Sequence, residues 1–439
     1  MGAPSQEPQD VLIEPKRIPR SEHSISRSQF TSATLKVLYT LRDAGFEAYV
    51  VGGGVRDLLA GLKPKDFDIA TDAHPEQIRK LFRSCRLVGR RFVIAHVRFG
   101  DEIMEVTTFR GPITDMHERD ETGRILSDND YGTIETDAFR RDFTVNAMYY
   151  DIRDYSIVDF AGGMDDLKAR VLRLIGDPEL RYREDPVRML RAVRIGNKLH
   201  FRMDTEAVEP IKRLTSLLRE IPPARLFDEV LKVLLCRDAV ENFRALHWLG
   251  LWAELFPDVE AQLTSQHDAT RRFIEGALGN TEERIKQDQA VSPAFIFAAL
   301  LWPVVNARAA VLQGEQGRAP AVALAQATEE TMAREVLRVA IPKRFSVPAR
   351  EIWAMQPRFE LRRGGRAKRL LAHPRFRAAY DFLLLRAQAG EPVDELAKWW
   401  TAAQTGEAPA PPENEPMAPR RKRRRRGGRG GRGHTHVEA

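Results

Sequence analysis

Apolar positions along the chain follow two regimes, and the change falls near Phe201. In the first regime short apolar runs alternate with helical periodicity. Leu35, Leu38 and Leu41 recur at helical spacing and predict an amphipathic helix that Gly45 ends. Tyr49, Val50 and Val51 form a short strand-type run, and the stretch from Pro75 sets Ile78, Leu81 and Phe82 on one helical face. The segment from Arg86 to Arg110 predicts two strands joined at Gly100-Asp101. Residues 112–135, rich in Asp, Gly, Thr and Glu, predict a loop, and the run from Asp166 predicts a short helix and strand. Beyond Phe201 the strand signals thin out, and the runs from Arg225, Ala239 and Pro293 have helical period throughout. Trp248, Trp252, Trp353, Trp399 and Trp400 lie in this helical half, where an aromatic at helical spacing is expected mostly in a core.

The fold class is therefore α+β at the front and all-helical behind. The expected boundaries are a disordered 1–20, a head over 21–170, a neck over 171–235, a helical body over 236–400 and a disordered tail over 401–439. A hydrophobic content of 43% in 439 residues suffices for several cores. Cys85 and Cys236 are far apart with no metal-ligand spacing, which excludes a disulfide framework and a zinc site of the usual pattern. The N-terminal stretch has no apolar signal region, and no later run reads as long enough to span a bilayer; a cytoplasmic protein without a membrane partner is expected.

Charge changes the picture at one end only. The net charge is +7, but Arg420 to Ala439 holds nine basic residues and one acid, so the rest of the chain is close to −1. Arg420, Arg421, Lys422, Arg423, Arg424, Arg425, Arg426, Arg429 and Arg432 make a tail that cannot build a core, and its simplest use is to bind a nucleic-acid backbone with little sequence preference. The alternative is a solubilising tail.

Candidate chemistry concentrates between Tyr49 and Ile69. Gly52, Gly53 and Gly54 let the backbone take a positive φ, approach a ligand closely and turn N–H groups toward an anion. No Gly-Lys-Ser/Thr follows, so this is not a P-loop. Asp66 and Asp68 alternate with Phe67 and Ile69, which puts both carboxylates on one face of a strand, and like charges this close call for a compensating cation. Hard carboxylate oxygens beside a triphosphate suit Mg²⁺. A tight turn and an Asp-rich loop without ligands are the bland alternatives. Glu105 sits among Ile103, Met104, Val106 and Thr107 and is either a third site acid or an edge-strand charge facing solvent.

Gly-Gly-Gly-Val-Arg-Asp from Gly52 followed by Asp66-Phe67-Asp68 resembles the signature of the nucleotidyltransferase superfamily, in the class that holds bacterial poly(A) polymerases and tRNA CCA-adding enzymes. The resemblance implies a polymerase β-like head with a mixed sheet, a helical neck and body, and a site carrying two Mg²⁺ ions. On it, Gly52, Gly53, Arg56 and Asp57 would contact the nucleotide, Asp66, Asp68 and Glu105 would hold metal, and either Glu105 or Asp142 would complete the catalytic acids. Arg141, Asp142 and Asn146 match an Arg-Arg-Asp-x-x-x-Asn motif implied to serve the nucleotide, although Asp142 also suits an N-cap. Glu184, Asp185, Arg188 and Arg191 match the Glu-Asp-x-x-Arg-x-x-Arg helix implied to pair with the incoming base; otherwise Asp185 is an N-cap before Pro186 and the arginines a solvated face.

The expected activity is transfer of AMP from ATP to RNA 3′ ends without a template. The substrates are ATP and RNA, RNA-decay proteins are the expected protein partners, and a monomer is expected. Gly89-Arg90-Arg91-Phe92 and Ala95-His96-Val97 resemble the segment of bacterial poly(A) polymerases, whereas CCA-adding enzymes usually carry Gly-x-x-His-Gly-Thr there. A CCA-adding enzyme and a non-catalytic RNA-binding protein are the alternatives.

Overall fold

The computed structural model of the chain describes residues 14–89, 92–112, 129–265, 267–363 and 365–410. Its front third is built on one mixed sheet of eight strands: β1 (Lys16–Ile18), β2 (Ala48–Val51), β3 (Asp68–Thr71), β4 (Cys85–Val88), β5 (Ile94–Phe99), β6 (Glu102–Thr108), β7 (Met148–Asp151) and β8 (Ile157–Asp159). They lie in the order β1-β8-β7-β2-β3-β6-β5-β4, all antiparallel except the β3–β6 pair. That single parallel pair is closed by a crossover through the helix Pro75–Leu81 and strands β4 and β5.

The two faces of the sheet differ. On one, Val50, Ile69, Ala95, Val97, Met104 and Val106 are buried with Val37, Leu38 and Leu41 of the helix Ser32–Asp43, and Ile78 and Phe82 close the same side. The Leu35, Leu38 and Leu41 periodicity thus does mark a helix, capped by Thr31 and followed by Gly45 at φ +87°. On the other face Tyr49, Val51, Ala70 and Tyr149 form a second, smaller core under the helix Ile134–Arg140, with Phe109 and Ala138. That cover stops at β3.

Behind the head come the helices Pro178–Glu184, Val187–Leu199 and Pro223–Leu234, then a helical body to Thr405. Its largest helix, Pro293–Gln316, is 24 residues and apolar enough to cross a membrane, contrary to the expectation that no run reaches that length. Trp302-Pro303, Asn306 and Arg308 interrupt the sequence pattern without ending the helix. Phe297, Leu300, Leu301 and Val305 are fully buried against neighbouring helices, the environment of a core helix.

Two other expectations need correction, and the core placement of the tryptophans holds for four of the five. Lys16–Ile18, assigned to a disordered 1–20, is an edge strand: Ile18 is buried and Lys16 pairs with Asp165 at 2.9 Å. The stretch from Arg86 belongs to three strands rather than two, because Gly89 at φ +96° breaks it and β4 pairs back onto β5. Trp252, Trp353 and Trp400 are core residues and Trp399 is nearly so, but Trp248 is 65% exposed beneath Lys212, whose ammonium lies 4.4 Å from the ring centre. Residues 113–128 of the expected loop, Arg90, Arg91 and the basic tail from Arg420 lie outside the described residues.

Candidate active site

β2 delivers the three glycines at the edge of the open face. Gly52 has φ +77°, which requires glycine, and begins the short helix Gly53–Leu59. A Cβ on Gly52 would stand 3.5 Å from Asp68 Oδ2 and 3.6 Å from Arg141 Nη1, so the turn, the carboxylate and the guanidinium meet at one point. Gly54 holds the next strand close: a Cβ there would lie 2.7 Å from the Phe67 ring and 3.2 Å from the Asp66 carbonyl.

The alternation around the two aspartates holds. Phe67 and Ile69 are buried, Asp68 is half-buried at the start of β3, and Asp66 is exposed just before it. Glu105 stands directly across the parallel pair from Asp68. It is neither buried nor on an edge strand, because β5 lies on its other side, and its Oε1 is 3.7 Å from His96 Nε2. Burial first, and then the negative charges of Glu105 and Asp66 against the opposing Arg141, push the Asp68 carboxyl up to about 6. A carboxylate destabilised this way, with two acids for neighbours, is a donor set that a hard divalent cation would relieve. Among the described residues no three His, Cys, Asp or Glu side chains are gathered closely enough in this conformation to hold a metal ion together.

Asp142 has another environment. Its Oδ2 accepts from Arg191 Nε at 2.8 Å, and its Oδ1 from Asn146 at 2.9 Å and from the Phe143 amide. Burial alone would raise its pKa, but Arg191 and the Asn146 hydrogen bond outweigh that and hold it well below the usual range. The network continues: Asn146 Oδ1 accepts from Arg56 at 2.5 Å, Arg56 forks onto Asp57 Oδ1, and Asp57 Oδ2 pairs with Lys198 at 2.6 Å. Arg56, Asp57 and Asn146 are each no more than 5% exposed. These three expected nucleotide ligands are therefore committed to one another, and what they do is tie the glycine helix to the helix Val187–Leu199 at both Arg191 and Lys198.

A second buried knot fixes Arg141. Asp137 accepts from Arg141 Nη2 at 2.8 Å, from Arg110 Nε at 2.9 Å and from the Tyr149 hydroxyl at 2.6 Å. Burial opposes ionisation of Asp137, yet Arg141 and Arg110 prevail and keep it ionised.

Beside these knots opens a polar cavity of about 420 Å³ lined by seven cationic and four anionic side chains, a positive balance that suits a polyphosphate. Asp142, Asp185, Arg188 and Arg191 line it, together with Arg141. Asp185 ends the helix Pro178–Glu184 and accepts from the Val187 amide at 3.3 Å, so the capping role and a place in the cavity coexist. Glu184 is withdrawn: it is 7% exposed and accepts from Arg181 at 2.8 Å and Arg188 at 3.0 Å. Arg225, Asp228, Glu229 and Lys232 also line the cavity, and Arg225 holds Asp185 at 2.6 Å. Their helix, Pro223–Leu234, belongs to the neck expected to carry nucleotide-base and RNA-binding helices, but these four side chains were not singled out; the signal was a polar stripe at i, i+3, i+4 and i+7 opposite the apolar one.

Comparison with known proteins identifies the family. Residues 48–173 match the family model described as the poly A polymerase head domain, residues 200–263 that described as the probable RNA and SrmB-binding site of polymerase A, and residues 316–430 the polymerase A arginine-rich C-terminus. The poly(A) polymerase I of Salmonella typhi is 49% identical over 421 residues, covering 92% of this chain and 90% of that protein. A CCA-adding enzyme of Lactobacillus helveticus is 40% identical but covers only 45% of the chain and 49% of its own length. A solved CCA-adding enzyme complexed with CTP shares the fold, with a TM-score of 0.56 at 20% identity over 86% of this chain and 84% of that one. With three of the family's models along it and near-full-length relatives at this identity, the chain belongs to the bacterial poly(A) polymerases, the polynucleotide adenylyltransferases that extend RNA 3′ ends from ATP.

Proposed function

We propose that the adenylyl transfer is carried out on the row Asp68–Glu105 with Asp66 beside it, and that the cavity behind Arg141 receives ATP. The observation that carries this reading is the direct pairing of Asp68 and Glu105 across β3 and β6, with Gly52 and Arg141 Nη1 touching the same point. Two Mg²⁺ ions on Asp66, Asp68 and Glu105 would supply the charge compensation that activates the 3′-hydroxyl and eases departure of pyrophosphate. In the transfer a bond forms from the 3′-oxygen to the α-phosphorus, the bond from that phosphorus to pyrophosphate breaks, and the hydroxyl proton is released. Gly52 and Gly53 give the triphosphate close approach to backbone, and Arg141, held by Asp137, adds a fixed cation.

Asp142 is a positioning residue in this reading, because its acceptor sites are taken by Arg191, Asn146 and a backbone amide. Asp185 and Arg188 offer an acceptor and donors to a base edge, with Arg225 fixing the carboxylate. The tail residues Arg420 to Arg432 bind RNA backbone, and RNA-decay proteins are the partners that fit such an activity.

The test is primer extension with each nucleoside triphosphate singly on an unstructured RNA. Long runs of A from ATP with poor use of CTP are expected; arrest after CCA on a truncated tRNA, with other RNAs ignored, would overturn the substrate reading. Asp66→Asn and Asp68→Asn should each abolish extension while RNA binding survives, and activity retained in either would remove the carboxylate assignment.

A further inference from the structure

The face of the sheet that carries Asp68 continues past it. Strand register sets Glu105 opposite Asp68, His96 opposite Glu105 and Arg86 opposite His96, so four ionisable side chains form one line across β3, β6, β5 and β4. The next row along holds Ile103 opposite Arg98. The small core under the helix Ile134–Arg140 covers this face as far as Tyr49, Val51 and Ala70, and none of its members comes from β4, β5 or β6. There the face is open: Ile103 is 53% exposed, and the side chains of Arg98 and Glu105 are 62% and 51% exposed.

Charge is graded along this line. Carboxylates lie at its inner end, His96 in the middle and Arg86 at the outer end, with Arg98 beside His96 in the next row along β5. Arg86 makes no ion pair among the described residues, and Arg98 has only a loose one, 3.8 Å to the fully exposed Asp101. At strand spacing Arg86 lies roughly 14 Å from Asp68.

The ATP side of Asp68 is already occupied in the reading above. Gly52, Arg141 and the cavity all lie toward β2 and the helix Val187–Leu199. An in-line displacement needs the nucleophile opposite the leaving pyrophosphate, and the direction left open at Asp68 is toward β6.

We propose that the open face of β4, β5 and β6 is the track for the last nucleotides of the RNA primer. Arg86 and Arg98 take phosphates, Ile103 takes an apolar sugar or base face, and His96 lies between these contacts and Glu105. Phosphate contacts of this kind fix register without reading sequence, which suits a polymerase that must hold any 3′ end. The proposal rests on the carboxylate row proposed as the catalytic centre.

The test uses the full-length chain and an unstructured oligoadenylate primer of about twelve nucleotides, a length within the usual range of single-strand sites. In the double variant Arg86→Ala/Arg98→Ala the KM for primer should rise about tenfold, while the KM for ATP changes less than about twofold. Losing two phosphate contacts should also flatten the dependence of log KM on log salt by about 1.4. Arg86→Lys/Arg98→Lys should restore most of both, since a point cation still meets a phosphate. An unchanged primer KM and salt slope would overturn the proposal, and so would an ATP KM that rises in step with that for primer. A folding defect would show as a lowered unfolding temperature, unexpected at side chains this exposed, and the lysine variant would then decide. Retained activity in Asp68→Asn would sink the carboxylate assignment and leave the primer measurement readable on its own terms.

Discussion

Glu335 sits in the helix Pro320–Val339, is 2% exposed, and its Oε2 has no hydrogen-bond partner among the described residues; the Thr331 hydroxyl one turn earlier is in the same condition. Burial first and then Asp258 push its carboxyl up to about 8, against the opposing Arg334 and Arg338. At neutral pH the folded protein therefore holds a proton here that the unfolded chain, with its ordinary value of 4.5, has lost. The sign follows. Below pH 4.5 both states carry the proton and the site has no effect. Between 4.5 and about 8 only the folded state does, so stability falls by about 1.4 kcal/mol per pH unit. Above 8 the loss levels off, at a total on the order of 5 kcal/mol or less once local relaxation is allowed for. Glu335→Gln removes the ionisation and keeps the shape. Its absolute stability depends on how the amide is accommodated, so the decisive quantity is the slope. Urea unfolding of both proteins at pH values from 5 to 9 should give curves that diverge upward through this window, the Gln variant gaining on wild type by about 1.4 kcal/mol per unit. Parallel curves would refute the claim that Glu335 is buried as a neutral acid.

Gly54→Ala should lower kcat by about 10- to 100-fold in primer extension, because its Cβ would press on Phe67 and the Asp66 carbonyl and displace the two aspartates; a wild-type kcat would show that the strand has slack. Trp252→Ala should cost about 3–5 kcal/mol in thermal or denaturant unfolding, whereas Trp248→Ala should stay within about 0.5 kcal/mol; equal effects would contradict their burial. Deleting Arg420 to Ala439 should weaken binding of long RNA and flatten its salt dependence while leaving chemistry on a short primer intact, and an unchanged salt slope would reduce the tail to a solubility device.

What the sequence made legible was local. Period-3.6 and period-2 patterns located the helix Ser32–Asp43, the strands around the glycines and the helical body, and the alternation of Asp66, Phe67, Asp68 and Ile69 matches their burial although the strand itself begins at Asp68. Motif resemblance brought Asp185, Arg188, Arg191, Arg141 and Asp142 to one cavity although they span 51 positions from Arg141 to Arg191. Which of these side chains are open to a ligand was not legible, because that depends on partners distant in sequence. Asp57 meets Lys198 across 141 residues, Asp142 meets Arg191 across 49, and Asp185 meets Arg225 across 40. Nothing in the spacing of either partner announces the other.

Those same pairs add ionic links to a junction whose apolar side chains, from Phe143, Val145 and Met148 to Val187, Leu190 and Val193, already belong to one continuous core. Replacing buried ion pairs by apolar side chains often costs no stability, so net stability is a poor reason for the chain Lys198–Asp57–Arg56–Asn146–Asp142–Arg191. Geometry is a better one. Each link is directional, both ends lie on the helix Val187–Leu199, and the middle lies on the glycine helix and the Thr144–Asn146 turn, so the helix can neither slide nor rotate without breaking one of these part-buried end bonds. Apolar contacts would tolerate a sideways shift of a fraction of an ångström. In the reading proposed above, a base chosen with no template meets Asp185 and Arg188 on one side, while the triphosphate lies against the glycine turn and Arg141 on the other. The distance between them has to be fixed by the protein itself, and the buried chain of charges is what spans it.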